Sequence, residues 1–361
     1  MPPRPGDTPL YTQIKQHLEE EIRSGRLRPG ERIPSEAELA QQFKVSRITS
    51  KQALVLLARE GLVFRIPGKG SYVSEEVAEP RTGPRRTLGL VLPVLTSRYE
   101  LELLRGAEAE ARSHAYTLAI RQSDGLQGNE AQAATDLQAA GVDGLIIWPV
   151  DGEYYNPALI MLSMEKFPTV LVDRSLPGIP LPAVTSDNRD GGRQAAGCLT
   201  REGHRRIAVL SHPGRWAASI ADRLMGFSIG LGEAGIPLRE DLWLLNLNHD
   251  LEQNRMQIRE FLGAHPEVTG VLTVNDGIGM AAYLAAGDLG RSVPEALSIV
   301  CFDQSNTAWP MPVTHVAQRA EEMGRQAVQM ALELLSGRQV APEQVQVPVS
   351  LVEGRTCTRS T

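Results

Sequence analysis

Apolar residues recur every four positions near the start of the chain. Leu10, Ile14, Leu18 and Ile22 form one stripe, which predicts an amphipathic first helix. Gly25 stops it, and Pro29-Gly30 turns the chain. Ser35 followed three residues later by Glu38 is a capping box, so a second helix is expected with Leu39, Ala40 and Phe43 facing inward. Ser46 predicts the cap of a third helix, with Ala53, Leu54, Leu57 and Ala58 inside and Gly61 at its end. Two short strands, 62–66 and 71–73, flank Pro67-Gly68-Lys69-Gly70 and read as a hairpin. Three helices and a hairpin predict a winged helix-turn-helix.

The next stretch is polar and carries Pro80, Gly83 and Pro84, the composition of a linker. From residue 87 the pattern changes. Apolar strand candidates lie at 88–92, 116–120, 144–147, 169–172, 207–210, 270–274 and 298–302. Amphipathic helices fall between them, among others at 99–114, 130–140, 217–234, 253–264 and 277–289. Strands alternating with helices predict parallel sheets covered on both faces. The segment is too long for one sheet, so two α/β lobes are expected. The resulting division is a helical head at 1–75, a linker at 76–86, and a two-lobed body at 87–361. Ligands of such folds sit beyond the C-terminal strand ends. Here those ends carry Pro93, Trp148, Asp173, Ser211, Asn275-Asp276 and Asp303, a polar set.

Composition narrows the function classes. At 42% hydrophobic and 22% charged residues the chain is ordinary globular protein. No run approaches the roughly 20 apolar residues of a membrane helix. The opening Met1-Pro2-Pro3-Arg4-Pro5-Gly6-Asp7 has no apolar core, so no secretory signal is expected and the location expected is the cytoplasm. Three scattered cysteines form no CxxC pair, and seven histidines form no HxH or HExxH. Ser211-His212 lacks the glycines of a nucleophile elbow, and Gly68-Lys69-Gly70 is no Walker loop. Neither a metal, a cofactor nor catalysis is expected. Charge is uneven: residues 1–75 hold 12 Lys+Arg against 9 Asp+Glu, while the rest carries an excess of nine acidic groups. A basic head on an acidic body points the head toward a polyanion.

The third helix opens Val45-Ser46-Arg47-Ile48-Thr49-Ser50-Lys51. Arg47, Ser50 and Lys51 are expected on or near its outer face, where Arg or Lys can bond guanine O6 and N7 in a major groove. Amides at the helix start can hold a phosphate, and Lys69 on its glycine-flanked tip suits backbone or minor-groove contact. A solvated helix face and an ordinary hairpin would carry the same pattern.

Resemblance distinguishes these readings. Residues 9–73, with PLYTQI, LRPGERIPSEAELA, VSRITSKQAL, LAREGLV and GKGSYV, closely resemble the GntR-type winged-helix domain. That resemblance implies double-stranded operator DNA as partner, contacted by Glu36, Ser46, Arg47, Thr49, Ser50 and Lys51 and, in the wing, by Gly68 and Lys69. Lys51 stands where the family often has Arg, a point charge in place of a two-pronged fork.

The body resembles the LacI/GalR-type sugar-sensing module through LGLVLP at 88–93, GVDGLIIWP at 141–149, PTVLVDR at 168–174, DRLMGF at 222–227, VNDGIGMAA at 274–282 and SIVCFDQ at 298–304. Its effector contacts are implied at Asp173, Arg223, Asn275 and Asp303, with Tyr99, Trp148, Asn248 and Gln318 around them. Carboxylates, an Arg and amides can each fork onto neighbouring sugar hydroxyls, and an aromatic ring can cover the apolar sugar face. Together the two resemblances imply a homodimeric transcription regulator, a repressor, controlled by a small carbohydrate in the interlobe cleft. A sugar-binding protein without regulatory role, or a sugar-acting enzyme using the cleft carboxylates as glycosidases do, would need the same cleft.

Overall fold

The computed structural model describes residues 10–59, 62–66, 70–74, 86–213, 217–303, 309–337 and 344–359. Gly68, Lys69 and linker residues 76–85 lie outside them. The chain divides into two compact units, Met1–Pro84 and Arg85–Thr361.

The first unit contains α1 (Leu10–Arg23), α2 (Glu36–Gln42), α3 (Arg47–Arg59), β1 (Val63–Ile66) and β2 (Gly70–Val73). The four-residue stripe is real: Ile14, Leu18 and Ile22 pack with Ile33, Leu39, Ala53, Leu54, Leu57, Val63 and Val73, while Leu10 is exposed. The capping box forms in both directions, Glu38 N donating to Ser35 Oγ at 3.3 Å and Ser35 N to Glu38 Oε2 at 2.6 Å. Lys44, at φ 53°, makes the left-handed turn between α2 and α3. β1 and β2 pair antiparallel, with Phe64 stacked on Tyr72. Ala58 is exposed rather than inward, because it lies one position past the buried 50/53/54/57 stripe.

The second unit holds two six-stranded sheets. Lobe 1 is built on β3 (Thr87–Leu92), β4 (Thr117–Gln122), β5 (Gly144–Ile147), β6 (Thr169–Val172), β7 (Ala183–Ser186) and β13 (Gln344–Val347), in spatial order 13-7-6-5-3-4. Lobe 2 is built on β8 (Ile207–Leu210), β9 (Trp243–Leu244), β10 (Gly270–Thr273), β11 (Ser298–Phe302), β12 (Thr314–Ala317) and β14 (Ser350–Val352), in order 14-12-11-10-8-9. Both sheets follow one scheme, and every pairing is parallel except β12 with β14. Five of these strands, β7, β9, β12, β13 and β14, are absent from the sequence reading. β9 is only two residues long, and the other four are three or four residues that mix polar with apolar positions, so their pairing partners define them rather than a local run.

Helices cover both sheets: α4 (Arg98–Ser113), α5 (Gln127–Ala139) and α6 (Pro157–Met164) in lobe 1, α8 (Ala218–Glu233), α9 (Leu251–Ala264) and α10 (Asp276–Asp288) in lobe 2. Two helices change lobes. α7 (Asn188–Arg201) follows β7 of lobe 1 yet packs on α8, and α11 (Ala320–Leu335) follows β12 of lobe 2 yet packs on α4. Both contacts are backbone-close. A Cβ on Gly226 of α8 would stand 2.1 Å from the Arg189 carbonyl oxygen, and one on Gly324 of α11 would stand 2.0 Å from that of Leu103. Among the described residues no helix is long and apolar enough to cross a membrane.

These crossings set a stability test. Gly226→Ala is expected to destabilise the body by about 2–3 kcal/mol, the order of cost for overpacking a tight interior. Gly232→Ala on the same helix, with nothing within 4 Å of the new methyl group, is expected to be neutral or to gain about 0.5–1 kcal/mol from helix propensity. Urea unfolding midpoints of the two variants separate the steric effect from propensity.

Candidate functional site

The outward part of the head is organised by hydrogen bonds at the start of α3. Ser46 Oγ accepts from Thr49 N at 3.1 Å and shares a hydrogen bond with Thr49 Oγ1 at 2.8 Å, so Ser46 caps the helix as its sequence position predicts. Arg47 and Lys51 are exposed. Ser50 is not on the outer face: it is fully buried, and its Oγ donates to the Glu36 carbonyl at 2.7 Å and to that of Arg47 at 3.1 Å. The correction has a simple cause. Ser50 stands three, four and seven residues before Ala53, Leu54 and Leu57, inside the apolar stripe, where a hydroxyl is tolerated because α2 supplies an acceptor. Glu36 sits at the start of α2 in an ion pair with Arg65 of β1, Oε1 to Nη1 3.5 Å. Arg65 had no signal in the sequence beyond its charge.

The second site is the cleft between the lobes, a cavity of about 820 Å³. Tyr99, Trp148, Asp173, Arg223, Asn248, Asn275, Asp303 and Gln318, scattered over 220 positions of sequence, all line it. Parallel topology gathers them, since β5, β6, β10 and β11 all end at the same rim. From lobe 1, Tyr99 in the first turn of α4 donates its hydroxyl to Asp173 Oδ1 at 2.7 Å and meets Trp148 edge-on at 5.4 Å between ring centres. Burial, and then the Asp173 carboxylate, push the Tyr99 phenol well up from its ordinary range. From lobe 2, Asp303 accepts from Gln318 Nε2 at 2.7 Å. Both aspartates follow the fourth strand of their sheet, and both hold positive φ, 70° and 62°.

The cations of the cleft are already engaged. Arg223 Nε donates to Asn188 Oδ1 at 2.8 Å and Nη1 to the Val274 carbonyl at 2.6 Å, with the guanidinium 4.2 Å above the Phe302 ring. Arg174 pairs with Asp151 and, at 3.3 Å, with Asp173, and donates to the Pro149 carbonyl. Asn275 caps α10 through Oδ1, while its Nδ2 lies 2.8 Å from His212 Nε2. Asn248 turns into its own loop, bonded to Asp250 N and Gln253 Oε1. Trp148 Nε1 and Gln318 Oε1 are buried without a hydrogen-bond partner.

Sequence reasoning missed part of this wall. Arg174, Asp151, His212, His249 and Asn254 line the same cleft. His212 follows a strand end that already stood out as polar, yet its histidine matched no catalytic or metal motif. In the fold its Nδ1 lies 3.2 Å from the Leu247 carbonyl and its ring 4.5 Å from that of His249. Burial, reinforced by His249, lowers its pKa to about 4. His204, by contrast, packs at a turn, held by Thr269 Oγ1 and the Thr358 carbonyl, both at 2.9 Å.

Two buried groups of the cleft titrate in opposite senses. Burial, partly offset by Arg223, raises Asp303 from 3.8 to about 6, so its contribution to stability is present below pH 4 and lost as pH rises through 6. His212 is lowered from 6.5 to about 4; its contribution is present above 6.5 and lost as pH falls through 4. The two slopes oppose each other in the native protein, and single substitutions separate them. Relative to wild type, Asp303→Asn is expected to gain thermal stability as pH goes from 4 to 8, and His212→Asn to gain as pH goes from 7 to 4. Melting temperatures across that range check both signs.

Both domains have counterparts among known proteins. Residues 10–73 match the family of bacterial regulatory proteins, gntR family, and residues 196–357 match the periplasmic binding protein-like domain. The arabinose metabolism transcriptional repressor of Geobacillus stearothermophilus is 29% identical over 92% of this chain and 93% of its own. The ribose operon repressor of Bacillus subtilis (strain 168) is 28% identical over 82% of this chain and 88% of its own. A solved transcriptional regulator CelR-cellobiose complex superposes with a TM-score of 0.66 at 23% identity, covering 90% of this chain and all of that one, and so shares the fold. With a gntR-family helix-turn-helix domain at its start and a periplasmic-binding-protein-like domain after it, in the arrangement of such repressors, this chain is a DNA-binding transcriptional regulator.

Proposed function

We propose that the protein is a cytoplasmic, homodimeric repressor whose hold on operator DNA is set by an uncharged sugar bound in the interlobe cleft. In this reading residues 1–75 bind DNA, 76–86 link, and 87–361 sense the effector and dimerise. The observation that carries the effector class is the pair Asp173 and Asp303, one from each lobe, facing a cleft whose arginines are already held by protein groups. A phosphate or carboxylate there would meet Asp151, Asp173 and Asp303 with little free positive charge. Sugar hydroxyls would instead donate to the carboxylates and accept from Arg223 Nη2, while Trp148 Nε1 and Gln318 Oε1 offer a donor and an acceptor still without partners. The relatives named for arabinose and ribose support the same class.

The repressor reading follows the names of those relatives. The dimer draws support from exposed apolar side chains, Leu101 of α4 and Ile120 of the edge strand β4 in lobe 1, and in lobe 2 Leu245 after the edge strand β9 with Leu251 and Met256 of α9. Coupling between sugar and operator of about 1–3 kcal/mol would change DNA affinity some 5–150-fold.

Neutral pentoses and hexoses are therefore expected to include a ligand that raises the melting temperature, whereas their phosphates do not. Arg223→Ala should weaken that ligand by about 1.5–3 kcal/mol, the value of a charged hydrogen bond, measured by calorimetry. Stabilisation by sugar phosphates alone would refute the uncharged class. On the DNA side, Arg47→Ala is expected to cost about 1–3 kcal/mol of operator affinity if it reads a base, and wild-type affinity should fall steeply with salt. Anisotropy titrations with and without the sugar give both values and the sign of the response, and tighter DNA binding with sugar would make it a corepressor.

A further inference from the structure

We propose that Ile48 is a specificity-determining residue of the DNA-reading helix, selecting thymine through its C5-methyl group. The inference rests on the DNA-binding assignment of the head and adds a contact that the motif does not supply.

Ile48 is 78% exposed, on the first turn of α3. Its neighbours there already have internal tasks: Ser46 and Thr49 bond each other in the cap, and Ser50 points into the core toward Glu36. Gln52 is exposed one residue further on, and among residues 47–51 the exposed side chains are Arg47, Ile48 and Lys51. Two are cations suited to phosphate or guanine. The third is a large apolar group that the hydrophobic core does not use, since that cluster closes without it. Val55, 41% exposed seven residues further on, continues the same face.

A branched aliphatic side chain in that place is stiff about χ1 and has little rotamer freedom to lose on contact. The apolar feature of the major-groove edge is the thymine C5-methyl, where cytosine carries only a hydrogen. Burying it against Ile48 removes apolar surface of both partners from water, whereas a G·C pair at that position leaves Ile48 over polar atoms. Arg47 and Lys51 then supply phosphate or guanine contacts, and Ile48 adds discrimination at thymine.

The test uses the full-length protein and duplexes selected by it from a random pool. Each thymine of the selected half-site is replaced by deoxyuridine, which removes the methyl and leaves the hydrogen-bonding edge intact. At one or more positions wild-type affinity is expected to fall about three- to fivefold, as loss of a single buried methyl implies. The same replacement should have no effect on Ile48→Ala, and Ile48→Val should keep most of it. Ile48→Ala is expected to match the wild-type protein on the deoxyuridine duplex, which also reports that the variant is folded. Equal losses in wild type and Ile48→Ala, or no loss at any thymine, would overturn the proposal. So would silent thymines together with a lower oligomeric state of Ile48→Ala, which would make Ile48 a protein contact. Failure to enrich any duplex would overturn the DNA-binding assignment and this inference with it.

Discussion

Two helix crossings with no room for a methyl group govern the body of this protein. α7 and α11 each leave the lobe whose strand precedes them and pack on a helix of the other, backbone against backbone, at Gly226 and at Gly324. The core of each lobe is therefore completed by a helix delivered from its neighbour. Each of these helices belongs by packing to the lobe it covers, so the lobes are joined by chain crossings outside their cores. Relative motion is confined to the three crossings, after β7, after β12 and between β13 and β14, an arrangement that favours opening and closing about a hinge.

The same exchange explains the cleft. Because both sheets share one strand order, their C-terminal rims are built alike, and the residue after the fourth strand falls at corresponding points. In each lobe that residue is an aspartate in the left-handed region, a conformation that costs a non-glycine residue energy and is held by its surroundings. Asp173 is braced by Tyr99 and Arg174, Asp303 by Gln318. Duplicated geometry with different partners gives one symmetric-looking pair of acceptors in unlike surroundings. Burial raises the Asp303 carboxyl to about 6, while burial and His249 lower His212 to about 4.

The head works by a similar division between inward and outward groups. Ser50 fastens α3 to α2 through a main-chain carbonyl, and Ser46 with Thr49 closes the helix end. With these hydroxyls satisfied internally, the side chains left exposed at the start of α3 are the cations Arg47 and Lys51, the amide of Gln52 and the apolar Ile48. Glu36, tied to Arg65, links that face to the hairpin.

What the sequence determined by itself was local. The Ile14/Leu18/Ile22 stripe, the Ser35–Glu38 box, the Ser46 cap and the apolar strands at 144–147, 169–172 and 207–210 depend on contacts within a few residues or on uninterrupted burial, and each is visible in composition and spacing. The cleft residues at strand ends were legible for the same reason: topology places such ends together whatever the side chains are. Tertiary structure decided the rest. β7, β12, β13 and β14 exist because a neighbouring edge offers them hydrogen bonds, and α7 and α11 change lobes because glycines admit a foreign backbone. Ser50 turned inward because a carbonyl on another helix accepts its proton, and Asn248 was taken up by its own loop. His212 and Arg174 acquired their place only when residues far apart in sequence closed around them. A side chain's direction and charge are set by the groups that surround it in space, and those are not its neighbours along the chain.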